Sequence, residues 1–279
     1  MAQHRSVVLN KRLIVISGIA IVVVSIGVGF AAHRRAALPS TTGESSIQAE
    51  QPVDEAADLE SKNEFLQARE VYQKILNDHP DYKDIEKVQK QLEDLNMRIL
   101  FSALETPQTT LYEVVAGDSL KKVAKQFNTT IDFLKKSNGL ASDTIRIGRR
   151  LRIWKGVFSI FIDKSQNSLI LKSDNEVLKV YRVATGKNNS TPVGNFKIVD
   201  KLENPTWFKS GAIVPPNSPE NALGTRWLGF DIPGYGIHGT IDSQSIGQQT
   251  TEGCVRMLNE DVEGLYTILP VGAQVTITD

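Results

Sequence analysis

The longest apolar run of the chain lies near its N-terminus and limits what this part can form. It reads LIVISGIAIVVVSIGVGFAA from Leu13 to Ala32, carries no charge, and has Arg12 before it and Arg34 after it. A membrane-spanning helix needs about 20 apolar residues, whereas the apolar core of a cleaved signal peptide has about 7–15. We therefore predict an uncleaved transmembrane helix over residues 13–33. A buried core helix is the alternative, but nothing else in the chain is large enough to surround it.

The composition of the 279-residue chain excludes several classes of protein. Its 32 Lys and Arg residues balance 32 Asp and Glu residues, so no net charge attracts nucleic acid, and we expect no nucleic-acid partner. Cys254 is the only cysteine, which excludes an intramolecular disulfide and a cysteine pair for metal or redox chemistry. No phosphate-binding loop or zinc-ligand spacing is present, so we predict no metal and no cofactor.

Two segments of different composition follow the apolar run. Residues 34–53 are rich in Ser, Thr, Glu, Gln and Pro with few large apolar side chains, which predicts a flexible linker. Residues 54–104 carry apolar residues at three- and four-residue steps on either side of Pro80, which predicts a helical hairpin. Ala68 and Tyr72 give it some resemblance to one tetratricopeptide repeat. A single repeat seldom stands alone, so a spacer is favoured over a peptide-binding groove, and no partner can be named.

Residues 111–154 combine strand and helix patterns. Tyr112 and Val114 alternate as in a short strand, and Ser119 stands where a helix N-cap belongs. Two apolar runs at helical spacing follow, and LRIW closes the segment as a second strand. The predicted order is strand, helix, helix, strand.

The segments YEVVAGDSLKKVA and IRIGRRLRI, with Asn138 and Leu140 between them, closely resemble the LysM module. The resemblance implies binding to a glycan that contains N-acetylglucosamine, as in the bacterial cell wall. The contact surface that it implies consists of two loops, with the candidate residues Gly117, Asp118, Ser119, Asn138 and Ile145. A degenerate module that only spaces its neighbour is the alternative.

The remainder, residues 157–279, consists mostly of short strands separated by turn residues. FSIFIDKSQNSLILKSDNEVLKVYRVATG contains three strands, at 157–162, 168–172 and 177–184, with Asn and Asp at the turns. One helix is expected at 260–269, with Asn259 as its N-cap. This pattern predicts a mainly β domain, either a sandwich or a partly open barrel.

Within this domain His238 is the only histidine and Cys254 the only cysteine, and both lie among glycines, in GYGIHGT and TEGCVRM. Taken singly, each has a structural explanation, since cysteine is often a small buried hydrophobe. Taken together, they suggest nucleophilic chemistry, because an imidazole within hydrogen-bond reach activates a thiol. Neighbouring glycines would expose main-chain amides to a substrate oxyanion. The spacing alone leaves both explanations open.

The blocks IHGT, SIG and GCVRM, preceded by TGKNNSTPVGNFKI and NALGTRWLGF, resemble the L,D-transpeptidases with a YkuD-type catalytic domain. This resemblance implies a β-sandwich-like fold and a cysteine peptidyl transferase that acts on peptidoglycan stem peptides. It implies Cys254 as the nucleophile, His238 as the general base, and the backbone carbonyl of Gly239 as the group that orients the imidazole. The amides around Gly253 and Cys254 would hold the oxyanion.

Further candidates for substrate contact surround the nucleophile. Arg256 would hold a stem carboxylate or form an ion pair with Asp261 or Glu252. The hydroxyls of Thr240 and Ser245 would line the pocket or cap turns. The remaining candidates are Thr251, Glu252 and Gly253.

One residue departs from the family pattern. The family usually has Ser-His before Gly-Cys, and this chain has Thr251-Glu252. A carboxylate beside the nucleophile should raise the thiol pKa unless Glu252 is paired elsewhere. It could also stabilise the His238 imidazolium, bind an acceptor amine or face solvent.

The resulting hypothesis is a multidomain, single-pass membrane protein with a mainly β catalytic domain at residues 157–279. A small βααβ LysM module at residues 111–154 and a helical hairpin precede this domain. The thiol would form a thioester with a tetrapeptide stem, release D-alanine and pass the acyl group to an amine. Because peptidoglycan lies outside the membrane, residues 1–12 would be cytoplasmic and the bulk of the chain would face the wall or periplasm. A wall-binding anchor without activity and an L,D-carboxypeptidase are the alternatives.

Overall fold

A computed structural model describes residues 42–209, 211–216 and 218–279. The predicted cytoplasmic segment at 1–12 and the predicted transmembrane helix at 13–33 lie outside these residues. Within the described ranges no helix is both long and apolar enough to cross a membrane. The chain divides into two compact units after Leu92.

The first unit contains α1 (Thr42–Ser61), α2 (Phe65–Asp78) and the start of α3 (Ile85–Phe101). Helices α1 and α2 pack together, with Ala56, Ala68 and Tyr72 fully buried. A turn at 62–64 separates them, and there Asn63 adopts a positive φ of 62°. The chain therefore forms three helices where the sequence pattern predicted two, and the closely packed pair is α1 and α2.

The flexible linker predicted at residues 34–53 is wrong from Thr42 onward, because α1 begins there. The segment QAEQPVDEAADLE is dominated by Ala, Glu, Gln and Leu, which are among the best helix formers. Few of its residues are large and apolar, so composition resembled that of a linker. Packing of α1 against α2 supplies the stabilisation that propensity alone does not.

In the second unit the end of α3 is followed by a strand–helix–helix–strand segment, and that predicted order is confirmed. Its elements are β1 (Thr109–Glu113), α4 (Leu120–Gln126), α5 (Ile131–Ser137) and β2 (Arg150–Trp154), with β1 and β2 antiparallel. The predicted N-cap is also confirmed, because the Ser119 hydroxyl accepts a hydrogen bond from the Lys122 amide. The buried residues of this segment form a small core of their own. It includes Val123, Leu134 and Leu151.

The rest of the second unit is mainly β, as predicted. Its strands are β3 (Phe158–Asp163), β4 (Ser168–Ser173), β5 (Glu176–Arg182), β6 (Thr185–Gly186), β7 (Gly194–Glu203), β8 (Trp207–Lys209), β9 (Ala212–Val214), β10 (Arg226–Phe230), β11 (Gly236–His238), β12 (Gln249–Thr251), β13 (Val255–Arg256) and β14 (Gln274–Thr278). Helix α6 (Asn259–Ile268) lies between β13 and β14. Asn167 and Asp174 adopt positive φ in the first two hairpin turns, where the sequence predicted turns.

The predicted sandwich is one hydrogen-bonded sheet of eight strands rather than two separate sheets. Its order is β13-β11-β10-β7-β14-β3-β4-β5, and the pairs β6–β12 and β8–β9 lie apart from it. The long strand β7 joins the two halves, because its first part pairs with β14 and its second part with β10. Side chains of both halves and of α6 share one core, including Ile160, Leu228 and Leu265. This arrangement leaves β11 and β13 at one end of the sheet.

Candidate active site

Two short parallel strands at the end of the sheet carry the predicted catalytic residues. Ile237 of β11 pairs with Val255 of β13, and His238 pairs with Arg256, while Cys254 immediately precedes β13. Successive side chains of a strand alternate between the two faces of a sheet. His238, Arg256 and Cys254 therefore lie on the same face.

The imidazole of His238 is buried and held in one orientation. Its Nδ1 lies 2.6 Å from the carbonyl oxygen of Gly239, as the resemblance implied. A carbonyl oxygen only accepts hydrogen bonds, so Nδ1 carries the proton and Nε2 keeps its lone pair. The ring stacks on Trp227 with 6.1 Å between ring centroids. These contacts leave Nε2 as the basic atom of the site.

The protonation state of His238 follows from its surroundings. The pKa of its imidazole is lowered from the usual 6.5 to about 4, chiefly by burial and also by the positive charge of Arg256, against the opposing effect of the Gly239 hydrogen bond. The imidazole is therefore neutral at neutral pH. It can accept a proton as a general base without first losing one.

The thiol of Cys254 is half-buried, and in the resting state it donates to the Gly234 carbonyl oxygen at a distance of 3.4 Å. Burial raises the pKa of this thiol. A backbone hydrogen bond from Gly236 and the charge of Arg256 act in the opposite direction. The site therefore rests as a neutral thiol beside a neutral imidazole, and not as a thiolate–imidazolium pair.

A tight turn holds the residues just before the nucleophile. The Thr251 hydroxyl donates to the Cys254 carbonyl oxygen at 2.6 Å and accepts from the Gly253 amide at 3.2 Å. Gly253 has φ of +136°, and a Cβ atom built there would lie 2.6 Å from the Tyr235 ring. The Gly253 amide can therefore donate to an oxyanion, as predicted, only when it no longer donates to the Thr251 hydroxyl. Cys254 supplies the other amide of the predicted pair.

Arg256 connects the catalytic face to a neighbouring loop. Its Nη1 donates to the Ser245 hydroxyl at 3.0 Å and lies 4.0 Å from a carboxylate oxygen of Asp242. The alternative ion pairs considered from the sequence, with Asp261 or Glu252, do not form. The Nε atom is buried and has no hydrogen-bond partner within the described residues. This edge of the guanidinium therefore retains a donor.

The comparisons with known proteins name a family for each of the two domains. The YkuD family, described as the L,D-transpeptidase catalytic domain, matches residues 158–277, and the LysM domain matches residues 112–154. The chain is 44% identical over 126 residues to "Putative L,D-transpeptidase YqjB" of Bacillus subtilis strain 168, covering 43% of this chain and 70% of that protein. It is 31% identical over 173 residues to "Putative L,D-transpeptidase YkuD" of the same strain, covering 60% of this chain and 97% of that protein. The chain belongs to the L,D-transpeptidase family.

Solved L,D-transpeptidases were also found among the structural matches. One from Mycobacterium tuberculosis H37Rv has a TM-score of 0.39 and 13% identity, covering 49% of this chain and 75% of that chain. One from Mycobacterium smegmatis has a TM-score of 0.39 and 18% identity, covering 48% of this chain and 65% of that chain.

Glu252, the departure from the family pattern, has an exposed side chain in this L,D-transpeptidase. Its charge raises the pKa of the Cys254 thiol, as expected from the sequence, but it is the smallest of the influences on that group. Of the roles considered for Glu252, exposure favours the one in which it faces solvent. Its presence is therefore compatible with a working thiol.

Thr240 and Ser245 are buried, and their hydroxyls serve the loop between β11 and β12. The Thr240 hydroxyl donates to the Asp242 carbonyl oxygen and accepts from the Asp242 amide. The Ser245 hydroxyl donates to the same carbonyl oxygen while accepting from Arg256. Of the two roles considered for these hydroxyls, the structure shows the turn-forming one. Ser245 in addition orients Arg256.

Asn259 is a residue that the sequence interpretation placed wrongly. It was predicted as the N-cap of α6, but it is the first helical residue, and Leu258 holds the cap position. Its side-chain oxygen accepts from the amides of Thr225 and Thr240, and its Nδ2 donates to the Thr240 carbonyl oxygen. Nothing local in the sequence distinguishes this role from capping. Asn259 thereby fixes the backbone next to Gly239, whose carbonyl orients the imidazole.

Replacing Asn259 with Ala is expected to lower kcat/KM about tenfold to a hundredfold, because the backbone next to the Gly239 carbonyl loses both of its hydrogen bonds to the Asn259 side chain and Thr225 loses a third. The free energy of unfolding should fall by about 1–3 kcal/mol. Steady-state kinetics and thermal unfolding measure the two effects. Asn259→Asp retains the acceptor oxygen and should recover part of the activity; equal kinetics for Ala and wild type would refute the positioning role.

The candidate glycan-binding residues shape their loops through internal hydrogen bonds. The Asp118 carboxylate accepts from the Tyr112 hydroxyl and the Val115 amide, which lowers its pKa. The Asn138 side chain exchanges hydrogen bonds with the backbone of Arg152, at 2.6 and 2.9 Å. Ser119 is the N-cap described above, Gly117 has φ of +88°, and Ile145 packs against the small core. The polar side chains of the set are thus engaged within the module.

Two exposed apolar side chains on these loops were not predicted. Val115 follows β1 and is 55% exposed, and Ile147 precedes β2 and is 73% exposed. The two loops are adjacent, because the Gly148 amide donates to the Val114 carbonyl oxygen. Neither residue stands out in the sequence, since an apolar residue beside a strand is normally expected to be buried. They offer an apolar contact surface on the LysM domain.

The lowered pKa of His238 predicts the pH dependence of the reaction. Because the imidazole acts only when neutral, kcat/KM should stay constant as pH falls from 7 and decline only as pH approaches about 4. The rate of D-alanine release from a tetrapeptide substrate between pH 3.5 and 8 measures this acidic part of the pH profile. An inflection near the ordinary histidine pKa of 6.5 would contradict the buried, neutral base.

Proposed function

We propose that this L,D-transpeptidase acts on the tetrapeptide stems of peptidoglycan through a thioester on Cys254. The observation that carries the proposal is the His238 imidazole, which is held by Gly239 through Nδ1, has Nε2 as its basic atom, and lies on the same face as the only thiol. Such a pair is suited to acyl transfer, in which one group accepts a proton as the other attacks.

In the first half-reaction the Cys254 sulfur attacks the carbonyl carbon of the third stem residue, and the thiol proton passes to Nε2 of His238. A carbon–sulfur bond forms, and the imidazolium returns the proton to the departing nitrogen as the carbon–nitrogen bond breaks. D-alanine leaves and a thioester remains. In the second half-reaction an acceptor amine attacks the thioester and its proton passes through His238 to the sulfur.

Two further groups support this chemistry. The Cys254 amide is a donor for the oxyanion, and the Gly253 amide becomes a second donor only if it leaves the Thr251 hydroxyl. The positive charge of Arg256, whose backbone pairs with that of His238 across the two strands, suits a carboxylate of the stem. The positive charge of Arg256 also favours the thiolate form of Cys254 as it develops.

The LysM domain would bind the glycan of the same polymer. Its engaged polar side chains leave the loop backbone and the apolar pair Val115 and Ile147 as the contact surface. The substrate places the catalytic domain on the wall side of the cytoplasmic membrane. The predicted helix at 13–33 would then anchor the chain, with 1–12 in the cytoplasm.

Incubation of the full chain with disaccharide tetrapeptides, followed by mass spectrometry, tests the proposal. We expect loss of D-alanine together with a cross-linked dimer, and neither product with Cys254→Ala. Loss of D-alanine without a dimer, even with excess acceptor amine, would show that water resolves the thioester. The chain would then be an L,D-carboxypeptidase rather than a transpeptidase. No change in the substrate, with glycan binding retained, would favour the wall-binding anchor.

A further inference from the structure

The LysM domain is packed firmly against the catalytic domain, although only residues 155–156 link them. Phe133 of α5 belongs to the main core, and its ring meets Phe158 edge to face with 5.6 Å between centroids. Trp154, the last residue of β2, stacks on Phe158, and its Nε1 donates to the Ser173 hydroxyl at 2.9 Å. A ring buried in a shared core resists independent motion of the two domains.

Hydrogen bonds around the module reinforce this junction. Buried Arg152 of β2 donates to three carbonyl oxygens at the C-terminal end of α3 and just beyond it, those of Ile99, Leu100 and Leu104. On the other side, the Thr130 hydroxyl at the start of α5 donates to the Thr267 carbonyl oxygen in α6. Helices α5 and α6 are therefore fixed side by side.

A cavity of about 380 Å³ lies between these two helices. Helix α5 contributes Asp132, Lys135 and Lys136, helix α6 contributes Tyr266, and the floor is formed by Glu203 of β7 and Arg226 of β10. We call it the junction groove. Leu140, in the loop of the predicted glycan surface, also lines it, so the groove continues that surface onto the catalytic domain.

The junction groove is separate from the catalytic face. Trp227 of β10 pairs with His238 and stacks on it, so these two side chains share a face of the sheet. Arg226 is the preceding residue in the strand, and alternation directs its side chain to the opposite face. The groove therefore cannot hold the stem that reacts with Cys254.

The lining of the groove is ionic. Arg226 pairs with Glu203 at 3.0 Å, and its buried Nε has no hydrogen-bond partner in the described ranges of the chain. Lys135, which is paired with Asp143 at 2.8 Å, and Lys136, which lies over the Phe101 ring, add two positive charges, and Asp132 adds a negative one. Two cations and a guanidinium beside two carboxylates are suited to a ligand that carries both carboxylates and an amine.

We propose that the junction groove binds a stem peptide that does not react and that belongs to the glycan strand held by the LysM domain. This proposal rests on the proposed function, which makes peptidoglycan the ligand of both domains. The glycan backbone is uncharged once its lactyl groups are joined to peptides, so only the stems carry groups that match the ionic lining. Binding there holds the polymer in a fixed position relative to the active site on the other face of the sheet.

The test uses the full chain with Cys254→Ala, which prevents turnover. Its binding is measured to insoluble peptidoglycan and to the same material after enzymatic removal of the stem peptides. Lys135→Gln, which removes the charge but can still donate a hydrogen bond to Asp143, should weaken binding to the intact material about tenfold, the expected loss for one charged contact, and leave binding to the stripped glycan unchanged. Lys136→Gln should have the same selective effect. Lys121→Glu, at an exposed position of α4 away from the groove, should change neither.

The proposal is overturned if both groove variants bind intact material as the Cys254→Ala parent does, or if they lose affinity for both materials equally. Thermal unfolding identifies a variant that fails to fold, and the other variant then decides the outcome. Failure of the proposed function is a separate result, because it would appear as absence of D-alanine release from soluble tetrapeptides by the wild-type chain.

Discussion

Replacing His238 with Asn is expected to lower kcat about 10²–10⁴-fold, the range that a positioned general base contributes. The buried imidazole offers Nε2 as the base on the catalytic face, because Nδ1 donates to Gly239. An asparagine side chain keeps polarity at this position but has no atom that accepts the thiol proton at neutral pH. Single-turnover release of D-alanine measures the effect on the first half-reaction.

The same variant distinguishes a neutral pair from an ion pair. With a neutral imidazole, His238→Asn should leave the rate of Cys254 alkylation by iodoacetamide at pH 7 nearly unchanged, since no positive charge is lost. The raised pKa of the thiol also predicts that this rate keeps rising above pH 9, the ordinary cysteine pKa. A fall of tenfold or more in alkylation at pH 7 would show that the resting site is a thiolate–imidazolium pair.

Replacing Gly253 with Ala is expected to lower kcat/KM about a hundredfold, because the added methyl group displaces the turn that carries the nucleophile. Its Cβ would lie 2.6 Å from the Tyr235 ring and 3.2 Å from the Ser190 carbonyl oxygen. The positive φ adds backbone strain, so the free energy of unfolding should also fall by about 1–3 kcal/mol. Kinetics with a tetrapeptide and thermal unfolding measure the two effects.

Gly272→Ala is the matched control for Gly253→Ala. Gly272 also has a positive φ, of +93°, but a Cβ atom there meets nothing within 4 Å. The control should therefore lose stability through backbone strain while keeping full activity. If Gly253→Ala retained activity to the same extent as the control, the turn would not depend on close packing against Tyr235.

Elements with local signals could be predicted from the sequence. The turns at Asn167 and Asp174 and the N-cap at Ser119 were correct, because each depends on the backbone preferences of one or two residues. The start of α1 was missed, since its composition fits both a linker and a helix and its packing against α2 decides between them. The joining of the two halves of the sheet through β7 depends on long-range pairing that no local pattern reports.

Within the active site, the residues that perform the chemistry could be predicted from the sequence, but the hydrogen bonds that position them could not. His238 and Cys254 could be found because their residue types are rare in the domain and lie among glycines. The roles of Asn259 and Ser245 depend on which distant backbone groups they reach. Likewise, Phe133 and Arg152 looked like ordinary residues of a separate LysM domain, and only tertiary structure shows that they join it to the rest.

The central claim is that Cys254 carries the acyl group, and mass spectrometry of the peptide that contains Cys254 tests it most directly. The full chain is mixed with a disaccharide tetrapeptide whose free amine is acetylated, so that it cannot act as an acceptor, and the mixture is quenched with acid and digested. We predict that the peptide containing Cys254 gains the mass of the donor minus D-alanine, and that hydroxylamine removes this adduct, as expected of a thioester. Release of D-alanine with no adduct on Cys254, or an adduct on another residue, would contradict the account.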